Sequence, residues 1–248
     1  MPIPVLAGCI ERRILANFRL EPAVAARYLP PPFRPKTIDG KAIAGVCLIR
    51  LRDIRPRALP AAFGVSSENC AHRFAVEWDT PDGTREGVYI PRRDTSSALN
   101  AWVGGKLFPG VHERALFSVA EQAEHFSVQL ASRDSVTRVE IAAHSVATLP
   151  SGSVFGSLSA ASAFFERGSL GYSATARPGV YDGLELRTRD WRVQALHVER
   201  IQSSFFEDES CFPRGSIHFD CALLMQNVAH EWHGRGKLHY PGNLAFHE

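Results

Sequence analysis

Alternation of apolar and polar side chains with a period of two is the commonest pattern in this chain. In EHFSVQLA, Phe126, Val128 and Leu130 alternate with Ser127 and Gln129, and further on Val139 and Ile141 alternate with Arg138 and Glu140. Such alternation predicts strands with one buried face. LELR and LHVER repeat it, while KAIAGVCLIRL, HRFAVEW and EGVYI are more continuously apolar strand-like runs. The PDGT between the last two predicts a hairpin, because Asp-Gly tolerates the positive φ of a tight turn. Antiparallel pairing is implied.

Helical signals are fewer. EPAVAARYL carries a proline near its start, where a missing N–H costs least. DTSSALNAWVGGKL offers Asp94, Thr95 or Ser96 as a cap and paired glycines as a stop. SLSAASAFFERG has Ser157 or Ser159 as its cap and Gly168 as its stop. The balance predicts a mainly β (α+β) fold, a closed or nearly closed barrel or sandwich with a few helices packed outside. No repeat, linker or low-complexity segment interrupts the pattern, so residues 1–248 read as one domain.

Composition narrows the function classes. The net charge of +2 is spread along 248 residues without a run of like charge, which argues against a nucleic-acid partner. Five widely spaced cysteines, Cys9, Cys47, Cys70, Cys211 and Cys221, fit neither a disulfide framework nor a cysteine-based zinc site. No stretch approaches the roughly 18 apolar residues of a membrane span, and MPIPVLAGCIERR lacks a signal peptide's cationic start. A soluble cytoplasmic protein is expected, with no membrane partner.

Three polar clusters are candidates for chemistry. In IPRRDTSS a strand runs into a capped helix, and Arg92 and Arg93 beside a helix N-terminus can bind a carboxylate; equally, a residue of the cluster caps the helix and the arginines are solvated. In SSENCAHRFAVEW, alternation puts His72 and Phe74 on one face and Arg73 and Ala75 on the other. An inward His72 can serve as general acid or base, although such a histidine is more often a satisfied buried donor. His230, Glu231 and His233 in NVAHEWHG space their histidines at i and i+3, unlike the i, i+4 of zincins, and no metal is expected. No phosphate loop, nucleophile elbow or dinucleotide fingerprint is present, so no cofactor is expected.

NFRLEPAVAARYLPPPFRP, GVYIPRRDT and GGKLFPGVHERA together resemble the acetoacetate decarboxylase-like superfamily. RLRDIRPRALP and FFERGSLGYSAT extend the likeness, which is nearest to that superfamily's branch of uncharacterised bacterial domains. The resemblance implies a β-barrel-based cone with external helices and an apolar, mostly enclosed pocket. It also implies an oligomer. Family decarboxylases use a Schiff-base lysine whose pKa an adjacent lysine lowers. Carried over by position, the pocket arginine falls on Arg19 and the acids on Glu68 and Glu86, while the lysine pair falls on His112 and Glu113. Of the four lysines, Lys36, Lys41 and Lys237 lie in segments that read as loop, strand start and C-terminal tail, which leaves Lys106 as the candidate substitute.

The leading expectation is an enzyme acting on a small carbonyl- or carboxylate-bearing metabolite. His112 or Glu113, with Glu68 and Arg19, would transfer protons in an enolisation, dehydration, cyclisation or decarboxylation that needs no Schiff base. The alternatives are a non-catalytic module that binds a small organic acid, and a Schiff-base lyase using Lys106.

Overall fold

A computed structural model describes residues 4–105 and 109–240. Lys106 therefore lies outside the described residues. The elements follow the predicted order: β1 (Leu6–Leu20), α1 (Pro22–Tyr28), β2 (Arg34–Pro35), β3 (Thr37–Ile38), β4 (Lys41–Pro56), β5 (Val65–Thr80), β6 (Gly83–Thr95) and α2 (Ala98–Val103). Next come β7 (Glu113–Gln122), β8 (His125–Ser132), β9 (Arg138–Val146), α3 (Leu158–Arg167), β10 (Leu170–Ala174), β11 (Val180–Thr188), β12 (Gln194–Ser203) and β13 (Ile217–His239).

All thirteen strands belong to one sheet, and extra pairings close it on itself. One circuit runs β6-β7-β8-β9-β12-β13-β1-β4-β5 and returns to β6. A second leaves β6 through β10 and β11 and rejoins at β13, so the two circuits share the wall β13-β1-β4-β5-β6. The wall is therefore buried on both faces, which explains the nearly continuous apolar run of β4.

Each face of the shared wall has its own core. Val46, Leu48, Cys70, Phe74 and Val76 pack against Phe126, Val128, Ile141 and Leu196 from the far side of the first circuit. Phe33 plugs one end, its ring 5.0–5.9 Å from those of Trp78, Tyr89, Tyr172 and Tyr181. On the opposite face, Leu15, Cys47, Ile49 and Leu223 pack against Phe155, Phe164 and Phe165 of α3 and its approach.

The predicted starts hold at α1 and α3, although of these two only α3 has a side-chain cap. Pro22 opens α1, and the Ser157 hydroxyl accepts from Ala160 N–H at the start of α3. The cap of α2 differs. Asp94 and Thr95 still belong to β6, and it is Ser97 whose side chain accepts from Asn100 N–H. The strand is prolonged because Asp94 and Thr95 align with Glu113 and Arg114 of β7 in a parallel ladder.

Candidate functional site

A cavity of about 180 Å³ opens between the second face of the shared wall, β10, β11 and α2. An apolar cavity of about 150 Å³ is enough for benzene, so this one suits a small metabolite. Its wall is largely aliphatic, with Ile49, Leu51, Val88, Ile90, Leu184 and Leu186 prominent. Into it come three arginines, Arg13, Arg73 and Arg93, with His112, Asn69 and Asn100. No aspartate, glutamate or lysine is found among the described lining residues.

Arg73 is the most deeply placed of the three, only 5 % exposed. Its Nη2 donates to Asn17 Oδ1 at 2.6 Å and its guanidinium lies 4.8 Å from the Phe165 ring centre, while Nε has no partner. Arg13, two strands away on β1, donates from Nε to Cys47 Sγ at 3.4 Å. Burial, with Arg13 adding to it, lowers the Arg73 pKa to about 10. Burial likewise lowers that of Arg93 to about 10. Both remain cationic at neutral pH, because even these values lie well above it.

Glycines seat the other half of the site. Gly110, at φ +81°, lies so close to Arg93 that a Cβ there would come within 2.7 Å of its Nε, and Arg93 Nε donates to Ser173 Oγ at 3.2 Å. A Cβ on Gly104 would come within 2.6 Å of His112 Nδ1. His112 Nδ1 is 2.9 Å from the Gly110 carbonyl, which makes Nδ1 the protonated nitrogen and Nε2 the acceptor of the neutral ring. Burial first, then Arg93, lowers the His112 pKa to about 3, so the ring is neutral at pH 7.

The other residues singled out in the sequence lie elsewhere. Glu68 belongs to an ion cluster on the first-circuit face, where it accepts from Arg12 Nη2 at 2.6 Å and Arg50 Nε at 2.5 Å, with Glu121 also bridging both arginines. Arg19 pairs with Asp220 at 3.1 Å, and Glu86 pairs with Lys36 and Arg167. Arg92 is engaged by Asp94 and Asp134. His72 bonds Ser203 Oγ at 2.9 Å and packs on Phe205, fully buried in the first-circuit core. Glu113 begins β7 beside Asp94, outside the cavity.

His112, Glu113, Glu68 and Arg19 therefore do not converge on one cavity; of the proposed catalytic and binding residues within the described chain, His112 and Arg93 line it, and Arg73, noted only as the residue opposite His72, joins them. In NVAHEWHG, His233 bonds Glu231 on one face of β13 while His230 is buried on the other, so the two histidines cannot share an ion.

Glu68→Gln tests the structural role of that carboxylate. It leaves Arg12, whose side chain is 1 % exposed, with Glu121 as its remaining charged partner. A loss of about 2 kcal/mol of stability is expected, read from urea denaturation. Ligand binding in the cavity should be unchanged, and a binding defect without a stability defect would return Glu68 to the site.

Residues 10–221 match the family model DUF2071, described as an uncharacterized conserved protein. No curated protein sequence matches the chain. Among solved structures, an acetoacetate decarboxylase from Legionella pneumophila is similar with a TM-score of 0.63 at 9% identity, covering 96% of this chain and 88% of that one. An acetoacetate decarboxylase-like enzyme from Sphingomonas wittichii RW1 superposes with a TM-score of 0.55 at 13% identity, covering 97% and 93%. The enduracididine biosynthesis enzyme MppR, complexed with pyruvate, gives 0.57 at 12% identity, covering 96% and 90%. With the family match running over most of its length, this chain belongs to the DUF2071 family and has an acetoacetate decarboxylase-like fold.

Proposed function

We propose that the cavity binds a small organic acid as its anion and catalyses lyase-type acid/base chemistry at a carbon beside a carbonyl. The carrying observation is the trio Arg13, Arg73 and Arg93 in a largely aliphatic cavity whose described lining offers no carboxylate. Guanidinium groups removed from water without a counter-ion are costly, and an anionic ligand supplies the missing charge. MppR, a fold neighbour, is complexed with pyruvate, a ligand of this class.

His112 is the proton acceptor in this reading. A histidine whose pKa is lowered to about 3 is a weak base in the empty cavity. A bound carboxylate would compensate Arg93, one of the causes of that depression, and so strengthen the base only when substrate is present. Arg93 would then stabilise the enolate as negative charge moves onto the carbonyl oxygen. The reading needs no Schiff base. The described lysines are paired elsewhere, Lys36 with Glu86, Lys41 with Glu21 and Lys237 with Asp182.

Solvent deuterium exchange into the methyl or methylene protons of pyruvate and longer 2-oxo acids, followed by proton NMR, tests the reading. Enzyme-dependent exchange is expected, reduced at least 100-fold in His112→Ala with binding retained. Binding without exchange would make the chain a carrier of organic acids. A borohydride-trapped adduct on Lys106 would replace acid/base chemistry with a Schiff base.

A further inference from the structure

A row of imidazoles crosses the outer face of the first circuit, on strands that the cavity does not use. His125 on β8 is the register partner of His144 on β9, and His144 is the register partner of His197 on β12. Side chains of directly paired residues project from the same face about 5 Å apart. The ring centres are 5.3 Å apart for His125 and His144 and 5.0 Å for His144 and His197. His125 and His197 are exposed, and His144 is partly so.

A carboxylate joins the row through a local irregularity. The register of β12 against β9 shifts between Val198 and Arg200, leaving Glu199 as the extra residue. A bulge of this kind re-aims the side chain it carries. Glu199 Oε1 lies 2.9 Å from His144 Nδ1. One ligand atom each from His125, His144 and Glu199 lie within 4.8 Å of one another.

We propose that His125, His144 and Glu199, with His197 adjacent, bind a divalent transition-metal ion such as Zn²⁺ on this face. Imidazole nitrogen with a carboxylate oxygen is a donor set that suits zinc, copper and nickel. At a zinc–ligand distance of about 2.0–2.1 Å, tetrahedral ligand atoms sit about 3.4 Å apart. Rotation of exposed side chains closes the remaining gap without moving the backbone. The ion would tie β8, β9 and β12 together. Water completes the coordination shell, because the site faces solvent.

A second cluster, Cys70, His72 and Asp94, has similar spacing but is fully buried. There Arg92 donates to both oxygens of Asp94, placing a cation where the ion would sit. Its charge opposes a second cation, whereas among the described residues Glu199 pairs within 4 Å with His144 alone.

The test is calorimetric titration of the untagged full chain with Zn²⁺, paired with thermal melts. One equivalent should bind with a Kd of about 10 µM or tighter and raise Tm. His144→Ala should weaken binding at least tenfold and remove the Tm shift, and His125→Ala should weaken it several-fold. Cys70→Ala should leave both unchanged. With Cu²⁺, the electron paramagnetic resonance spectrum should show nitrogen hyperfine structure that is lost in His144→Ala. No saturable binding at 100 µM would overturn the proposal, as would retention of full affinity in His144→Ala or its loss in Cys70→Ala. The inference is independent of the cavity reading, since none of these ligands lines the cavity.

Discussion

Replacing both Arg73 and Arg93 with methionine is expected to abolish binding of small carboxylates, weakening Kd by about 1000-fold. Each hydrogen bond to a charged group contributes roughly 1.5–3 kcal/mol, so losing two removes about 4 kcal/mol, the equivalent of three powers of ten. Stability should respond differently. Neither guanidinium has an ion-pair partner among the described residues, and exchanging a buried charge for an apolar side chain of similar volume is often neutral or stabilising. Against this, Asn17 Oδ1 loses its 2.6 Å bond from Arg73, and Ser173 loses its bond from Arg93. The ligand-free double variant should therefore melt close to the parent temperature while failing to bind. Calorimetric titration with pyruvate and longer 2-oxo acids, beside thermal melts, separates the two effects. If carboxylates bind within tenfold of the parent affinity, the arginine trio is not the anion site. A Tm drop as large as that of Glu68→Gln would instead mark these arginines as structural charges.

The neighbouring arginine pairs show why only part of this site was legible in the sequence. Adjacent strand residues point to opposite faces, so Arg12 enters the ion cluster with Glu68 while Arg13 enters the cavity. Arg92 turns to Asp94 and Asp134, and Arg93 to the cavity. Alternation identifies the two faces of β5 and sets Arg73 opposite His72. It does not say which face borders a cavity, because the shared wall is buried on both sides and carries no polar stripe to mark solvent. Strands of one-sided sheets, β8 and β9, were by contrast plain from their alternation. The length of β13 was hidden for another reason. Asn227, at φ 53°, interrupts its alternation, so NVAHEWHG gives no strand signal although it pairs with β1 and β11. The glycines of GGKLFPG read as a helix stop, and Gly104 does end α2; their closeness to His112 and Arg93 depends on tertiary contacts that no local pattern encodes.

Acid should destabilise this protein steeply, beginning well above the range in which most carboxylates protonate. His72 and His112 have pKa values lowered to about 3 and His230 to about 4, burial being the first cause in each case. The same side chains in the unfolded chain titrate near 6.5. Below that pH the unfolded state takes up three protons that the folded state refuses, so stability is fully present above about pH 6.5 and falls as pH falls toward 4. One differential proton corresponds to 1.36 kcal/mol per pH unit, which puts the ceiling at about 4 kcal/mol per unit for three. Asp94 works in the opposite direction, since burial raises its pKa and favours the folded state once it protonates. Its influence begins only near the carboxylate range. His230 offers the cleanest check, because among the described residues its ring makes no side-chain hydrogen bond and its polar contact is with the Val228 backbone. His230→Leu should flatten the slope between pH 6.5 and 4.5 by about one third, stabilising the protein more at pH 5 than at pH 7. Urea denaturation at half-unit pH intervals reads this directly. A flat profile across those two units, or an unchanged slope in His230→Leu, would mean that these histidines take up protons in the folded state. A saturating organic acid should change the profile as well: by compensating Arg93 it raises the His112 pKa and removes part of one proton from the difference, so the slope should become shallower in the complex.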